Sequence, residues 1–160
     1  RPPGAMKICI CVRKRPINKK EISARDYDSV TCMNPQAIVH YCKLKVDGIT
    51  KYLDHNSFQF DHAFGESSET NDIYEYTTAP LVPFVVERRG RATVFAYGQT
   101  GSGKTYTMTG VQELVTRDIF ATLERAQDAE NLEVCVSFFE IYGGRCQDLL
   151  NRRHRLSVRE

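Results

Sequence analysis

Thr93-Val94-Phe95-Ala96-Tyr97-Gly98-Gln99-Thr100-Gly101-Ser102-Gly103-Lys104-Thr105 is the stretch that decides the fold of this chain. Its first five residues form a continuous apolar run, the pattern of a short strand buried on both faces. From Gly98 onward it fits G-x-x-x-x-G-K-[ST] at every fixed position. Glycines let the backbone curl so that successive N–H groups face a phosphate. Lys104 then adds a point charge at the β and γ oxygens, and the Thr105 hydroxyl supplies a Mg²⁺ ligand. Beyond it, Val111, Leu114, Val115, Ile119, Leu123 and Ala126 fall on one helical stripe. That helix points its positive N-terminus at the same anion. Strand, loop and helix predict a nucleoside triphosphate site on Gly98, Gln99, Thr100, Gly101, Ser102, Gly103, Lys104 and Thr105. The alternative, a chance glycine-rich turn, does not explain the flanking elements.

Outward from this loop the chain alternates strands and helices. Lys7 to Val12 is β-branched and apolar, and Arg13-Lys14-Arg15-Pro16 ends it, because proline cannot join a ladder. Between 26 and 60, Ala37–Tyr41, Lys43–Val46 and Phe58–Phe60 alternate, with the turn dipeptide Asp47-Gly48 among them. This predicts a small antiparallel excursion. A helix is expected from the region of Ser67–Asn71, where several residues qualify as the cap and the sequence does not choose between them. It runs to Arg88-Arg89-Gly90, kinked by Pro80 and Pro83. Leu132 to Tyr142 reads as a further strand. The class is α/β.

The composition agrees. The chain has 160 residues, 41% hydrophobic and 26% charged, the usage of an ordinary globular domain. A chain of this length buries roughly 68–70% of its unfolded surface, enough for one core. No apolar run reaches the ~18 residues of a bilayer crossing, and the aromatic content argues against a solvated, disordered chain. Arg1–Ala5 reads as a linker or tag remnant without a signal peptide, leaving 6–160 as the domain. The formal net charge of +2 hides segregation. Residues 1–25 carry eight basic side chains against the single acid Glu21, whereas 54–80 carry six acids and no Lys or Arg. Such a surface can orient a charged partner, although solvated faces explain it equally well.

Six cysteines (Cys9, Cys11, Cys32, Cys42, Cys135, Cys146) form no C-x-x-C pair, and most lie in apolar runs as small hydrophobes. They point to a reducing cytosol. Cys32, His40 and Cys42 lack a fourth ligand at zinc spacing. A phosphate-loop enzyme also needs an acid for the metal shell and a group for the attacking water. Asp118, Asp128 and Asp148 all read as surface residues, so the catalytic residues are expected to be absent from this chain.

Phe95-Ala96-Tyr97-Gly98-Gln99-Thr100-Gly101-Ser102-Gly103-Lys104-Thr105-Tyr106-Thr107-Met108 resembles the phosphate loop of the kinesin motor domain. Val12-Arg13-Lys14-Arg15-Pro16 is similar to the family's V-R-x-R-P element beside the adenine. Ser137-Phe138-Phe139-Glu140-Ile141-Tyr142, with Asp148-Leu149-Leu150, is similar to its S-x-x-E-I-Y…D-L-L segment. The resemblance implies a P-loop NTPase fold with a mixed central sheet flanked by helices, incomplete in this chain. It also implies Mg-ATP and Mg-ADP as cofactors, microtubule-stimulated ATPase activity, and tubulin and microtubules as partners. The location implied is the cytoplasm, on the microtubule cytoskeleton. Arg13, Arg15 and Pro16 would then pack on the adenine with Tyr106 at its edge. Stacking on aromatic or guanidinium planes contributes roughly 1–3 kcal/mol per base.

Lys43-Leu44-Lys45-Val46-Asp47, shortly before Thr50-Lys51-Tyr52-Leu53, is similar to the corresponding segment of the kinesin-13 group. In that group the K-V-D tip helps peel tubulin from microtubule ends, which implies tubulin contacts at Lys45, Val46 and Asp47. Arg152, Arg153 and Arg155 follow the D-L-L turn, where kinesins present a tubulin-facing loop. Arginines suit an acidic polymer, and no aromatic interleaving supports nucleic acid. A lattice-walking kinesin and a non-catalytic tubulin-binding remnant are the alternatives. Three features depart from the family pattern. Met108-Thr109-Gly110 runs straight into the Val111 helix without the family's splitting loop, Pro83 lies within a helix, and neither N-x-x-S-S-R-S-H nor D-x-x-G occurs.

Overall fold

The computed structural model describes residues 8–126 and 132–159. The expected remnant at 1–5, the start of the first strand at Lys7, and Asp128 lie outside them. The chain divides into two compact units, 1–126 and 127–160.

In the larger unit, β1 (Cys11–Arg13) lies parallel to β5 (His62–Phe64), with Val12 opposite Ala63. Lys14, just past β1, bonds Asp28 at 2.5 Å and Glu66 at 3.2 Å, tying the basic N-terminal stretch to the acidic middle one. The short helix α1 (Lys19–Ser23) starts on a capping box: the Glu21 N–H donates to Asn18 Oδ1, and Glu21 Oε2 accepts from the Asn18 N–H.

The antiparallel excursion forms as expected. β2 (Val30–Met33), β3 (Gln36–Leu44) and β4 (Lys51–Gln59) make a three-stranded sheet in that order. The separate short pieces merge into two nine-residue strands paired from Gln36 opposite Gln59 to Leu44 opposite Lys51. Asp47 closes their loop, its Oδ1 accepting from the N–H groups of Ile49 and Thr50 and its Oδ2 from the Thr50 hydroxyl.

The single kinked helix is instead two helices, α2 (Thr70–Thr77) and α3 (Leu81–Val86). Pro80 has no N–H to continue α2, so it becomes the cap of α3. Pro83 falls in α3's first turn, where a missing N–H costs nothing. Both helices pack on α4 (Lys104–Leu123). The buried side chains are mostly here: Ile73, Tyr74 and Thr78 of α2 and its end, Val82 and Val86 of α3, and Val111 of α4. The rest of the α4 stripe is half-buried, and the Tyr74 hydroxyl donates to Asp118 Oδ2 at 2.7 Å. Gly110 sits inside the unbroken helix because a Cβ there would come within 2.7 Å of Thr70 Cγ2.

In the smaller unit, β6 (Phe139–Tyr142), β7 (Arg145–Asp148) and β8 (His154–Leu156) form a three-stranded antiparallel sheet. Gly143 and Gly144, both at positive φ, make the two-residue hairpin between β6 and β7.

Parallel and antiparallel pairing with helices is the α/β class, distributed over three sheets. Two sequence expectations are corrected. Residues 93–97 and 132–138 join no ladder among the described residues. A strand exists only through its partners, and Phe95 and Tyr97 stand exposed. No described helix is long and apolar enough to cross a membrane.

Candidate functional site

The loop from Gly98 to Gly103 leads directly into the first turn of α4. Gly101 and Gly103 take φ of +84° and +96°, the left-handed region that glycine enters without steric cost. Gly103 occupies the cap position of α4 and provides no side-chain acceptor, so the helix presents its N-terminal dipole without a capping side chain. The Lys104 ammonium folds back over the loop, donating to the carbonyls of Gly98 at 2.6 Å and Gln99 at 2.9 Å. Thr105 is exposed on the same turn.

Ser102 Oγ is buried without a hydrogen-bond partner, close to where a Cβ on Gly98 would stand. An unpartnered hydroxyl, uncapped helical N–H groups and a lysine over loop carbonyls make a donor set that fits an anion. The residues present would suit a nucleotide phosphate with its metal: Lys104 would supply charge, and the Thr105 hydroxyl is the kind of hard oxygen ligand that Mg²⁺ takes.

The basic turn after β1 reaches this loop. Arg15 Nε donates to the Gly101 carbonyl at 2.9 Å, while its two terminal nitrogens grip both carboxylate oxygens of Glu21. The Arg15 hydrogen bond holds the Glu21 carboxyl down at about 2, with the Asn18 N–H reinforcing it. Arg13 uses its fork within the protein, donating to Thr70 Oγ1, Thr107 Oγ1 and the Ser68 carbonyl at 3.0–3.1 Å. Its guanidinium lies 5.2 Å from the Tyr106 ring centroid. The structure thus brings Arg15 to the Gly98–Thr105 loop, and Arg13 with Tyr106 to the first turn of α4, with Pro16 exposed beside Arg15.

Residues 13–160 match the family described as the kinesin motor domain. The chain belongs to the kinesin motor family. It is 56% identical over 153 residues to Diatom spindle kinesin-1 of Cylindrotheca fusiformis, covering 96% of this chain and 24% of that relative. The chain therefore spans well under two thirds of that kinesin. The kinesin assignment carries the fold class with it: a mixed sheet flanked by helices, of the P-loop NTPase type.

Within this kinesin chain, the remaining residues of interest lie elsewhere. Val46 is fully exposed at the β3–β4 tip, beside Lys45. Asp47 is also exposed, but its carboxylate serves its own turn. In the smaller unit, Arg153 bonds Glu140 at 2.6 Å, Arg155 sits opposite Gln147 in the β7–β8 ladder, and Arg152 is exposed in the turn before β8. Asp118 holds Tyr74 and Arg117, and Asp148 closes β7 with its Oδ1 accepting from the Leu150 N–H. His40, weighed above with Cys32 and Cys42, instead contacts Thr31 Oγ1 at 2.8 Å and His55 Nδ1 at 2.7 Å. Glu21 stands in the sequence only as the lone acid of the basic stretch, although Asn18-Lys19-Lys20-Glu21 carries a capping-box spacing directly after the basic turn.

Proposed function

We propose that the protein is an ATP-dependent microtubule motor that binds Mg-ATP on Gly98–Thr105 and works by depolymerising microtubule ends. The observation carrying the nucleotide reading is the left-handed loop running into the uncapped start of α4, with Lys104 folded over it. When bound, Mg-ATP supplies the γ-phosphoryl group whose hydrolysis drives the motor. The chain's own part is binding and orientation. Loop N–H groups and Lys104 would hold the phosphates, the Thr105 hydroxyl would hold the metal, and Arg13, Arg15 and Pro16 would pack on the adenine with Tyr106 at its edge. The groups that activate water are proposed to lie in switch segments outside 6–160, the part read as the N-terminal portion of the motor domain.

Tubulin is the proposed partner on an electrostatic argument, since the exposed Arg152 and the neighbouring Arg153 and Arg155 suit an acidic polymer. The depolymerase reading is supported by the K-L-K-V-D segment at the β3–β4 tip, where Val46 projects with Lys45 beside it. Asp47 contributes there by shaping the turn. The test uses the protein at its full natural length with stabilised microtubules and ATP. Released phosphate should rise with microtubules, and sedimentable polymer should fall, with both effects lost in Lys104→Ala. Constant polymer mass with filament gliding would indicate a walking kinesin instead. Tubulin binding without any phosphate release would indicate a non-catalytic binder.

A further inference from the structure

We propose that Glu21 is a positioning residue for the nucleotide phosphates, acting through Arg15 on the Gly101–Ser102 peptide of the phosphate loop. The inference rests on the reading of Gly98–Thr105 as a nucleotide site. Surface ion pairs by themselves contribute little. This one differs because the arginine's third point of attachment is the loop. Arg15 places Nη1 on Glu21 Oε2 at 2.8 Å and Nη2 on Glu21 Oε1, which fixes the plane of the guanidinium. With that plane fixed, Nε lands on the Gly101 carbonyl at 2.9 Å.

Glu21 is itself held. Its Oε2 also accepts the Asn18 N–H at 2.8 Å, and its own N–H donates to Asn18 Oδ1 at 3.0 Å, so the carboxylate is anchored to the start of α1. At the far end, the Gly101–Ser102 peptide is pinned on both sides. Arg15 takes its carbonyl, and its N–H, on Ser102, donates to the Gln99 carbonyl at 3.1 Å. Gly101 sits at φ +84°, and a glycine peptide rotates more freely than any other. Rotation would swing a carbonyl, the negative end of the peptide dipole, toward the place an anion occupies. The Glu21–Arg15 clamp opposes that rotation, so the loop meets the phosphates already ordered.

Equilibrium binding of a fluorescent ATP analogue and of ADP, in Mg²⁺, to the protein at its full natural length tests this. Glu21→Gln keeps the capping box, where glutamine also serves, but replaces the charged fork with a neutral amide. It is expected to raise the dissociation constant about three- to tenfold with little change in melting temperature. Arg15→Lys keeps the charge and loses the fork, and should weaken binding comparably. In the Arg15→Lys background, Glu21→Gln should add nothing further. Equal, additive losses in both backgrounds would overturn the proposal, as would unchanged binding in Glu21→Gln. Lys104→Ala separates this from the underlying reading. If it abolishes binding while Glu21→Gln does not weaken it, only the clamp falls; if it binds as wild type does, the phosphate-loop reading falls too. Should Glu21→Gln fail to fold, Glu21→Asp keeps the charge on a shorter arm and is expected to weaken binding in the same way.

Discussion

Among the described residues Tyr74 is the most buried large side chain, 1% exposed, and its hydroxyl still reaches Asp118. Burial pushes the phenol pKa upward, and the nearby Asp118 carboxylate adds to the effect. The hydrogen bonds from Arg117 and then Tyr74 pull the Asp118 carboxyl below its ordinary value. Tyr74→Phe removes the donor and leaves the ring, so a loss of about 1–2 kcal/mol is expected in urea unfolding. No change on that substitution would mean the bond is incidental. The acid side of the stability profile follows from Asp118. Its folded-state pKa is depressed, so its contribution is complete above the unfolded value of 3.8 and fades as pH falls below it. Stability measured between pH 5 and 3 should drop less steeply in Asp118→Asn than in wild type. Gly110 offers a second test. Alanine favours a helix interior over glycine by about 1 kcal/mol, yet its Cβ would meet Thr70 Cγ2 at 2.7 Å. Thr70 cannot rotate away freely, because its Oγ1 accepts from Arg13. Gly110→Ala should therefore destabilise the wild type, and do so less in Thr70→Ser, which lacks the methyl but keeps a Cβ 3.3 Å away. Stabilisation in both backgrounds would contradict the packing.

At the scale of elements, the β3–β4 tip separates shape from contact. Val46→Ser should leave unfolding free energy within about 0.5 kcal/mol, as surface substitutions do, while reducing loss of microtubule polymer. Asp47→Ala removes three hydrogen bonds of the turn and should lower the melting temperature as well. Equal effects of the two on melting would show that the tip has no separable contact role. What the sequence makes legible here is local. The loop at Gly98–Thr105, the Asp47-Gly48 turn and the α4 stripe are written in residues a few positions apart, and each forms. Where the outcome depends on remote partners, the reading stops short. Val94, Phe95 and Tyr97 have strand composition but no ladder, because pairing is not encoded in the run itself. Pro80 and Pro83 announce a disturbance, yet only packing on α4 decides that it is two helices rather than a kink. Gly143-Gly144 carries a hairpin signal that is local and legible, just past the Leu132 to Tyr142 stretch read as a strand. Arg13 and Arg15 stand out in the sequence as candidates, whereas their partners Thr70, Thr107 and Glu21 depend on the tertiary fold.

On the scale of the whole molecule, the charge segregation acquires a structural meaning. Lys14 and Arg15, from the basic N-terminal stretch, spend their charge on Asp28, Glu66 and Glu21, so part of that end's charge is compensated within the chain. Of the arginines around the β7–β8 turn only Arg153 is ion-paired among the described residues, with Glu140, and an acidic partner is the proposal for them. Family membership sets the expectation of a motor, and Gly98–Thr105 is the segment proposed to hold its nucleotide. Calorimetric titration of ATP and ADP, with and without Mg²⁺, into the protein at its full natural length and into Lys104→Ala tests the central claim most directly. One site per chain is expected, tightened by Mg²⁺ and lost in Lys104→Ala. Absence of binding, or binding indifferent to both the metal and Lys104, would contradict it.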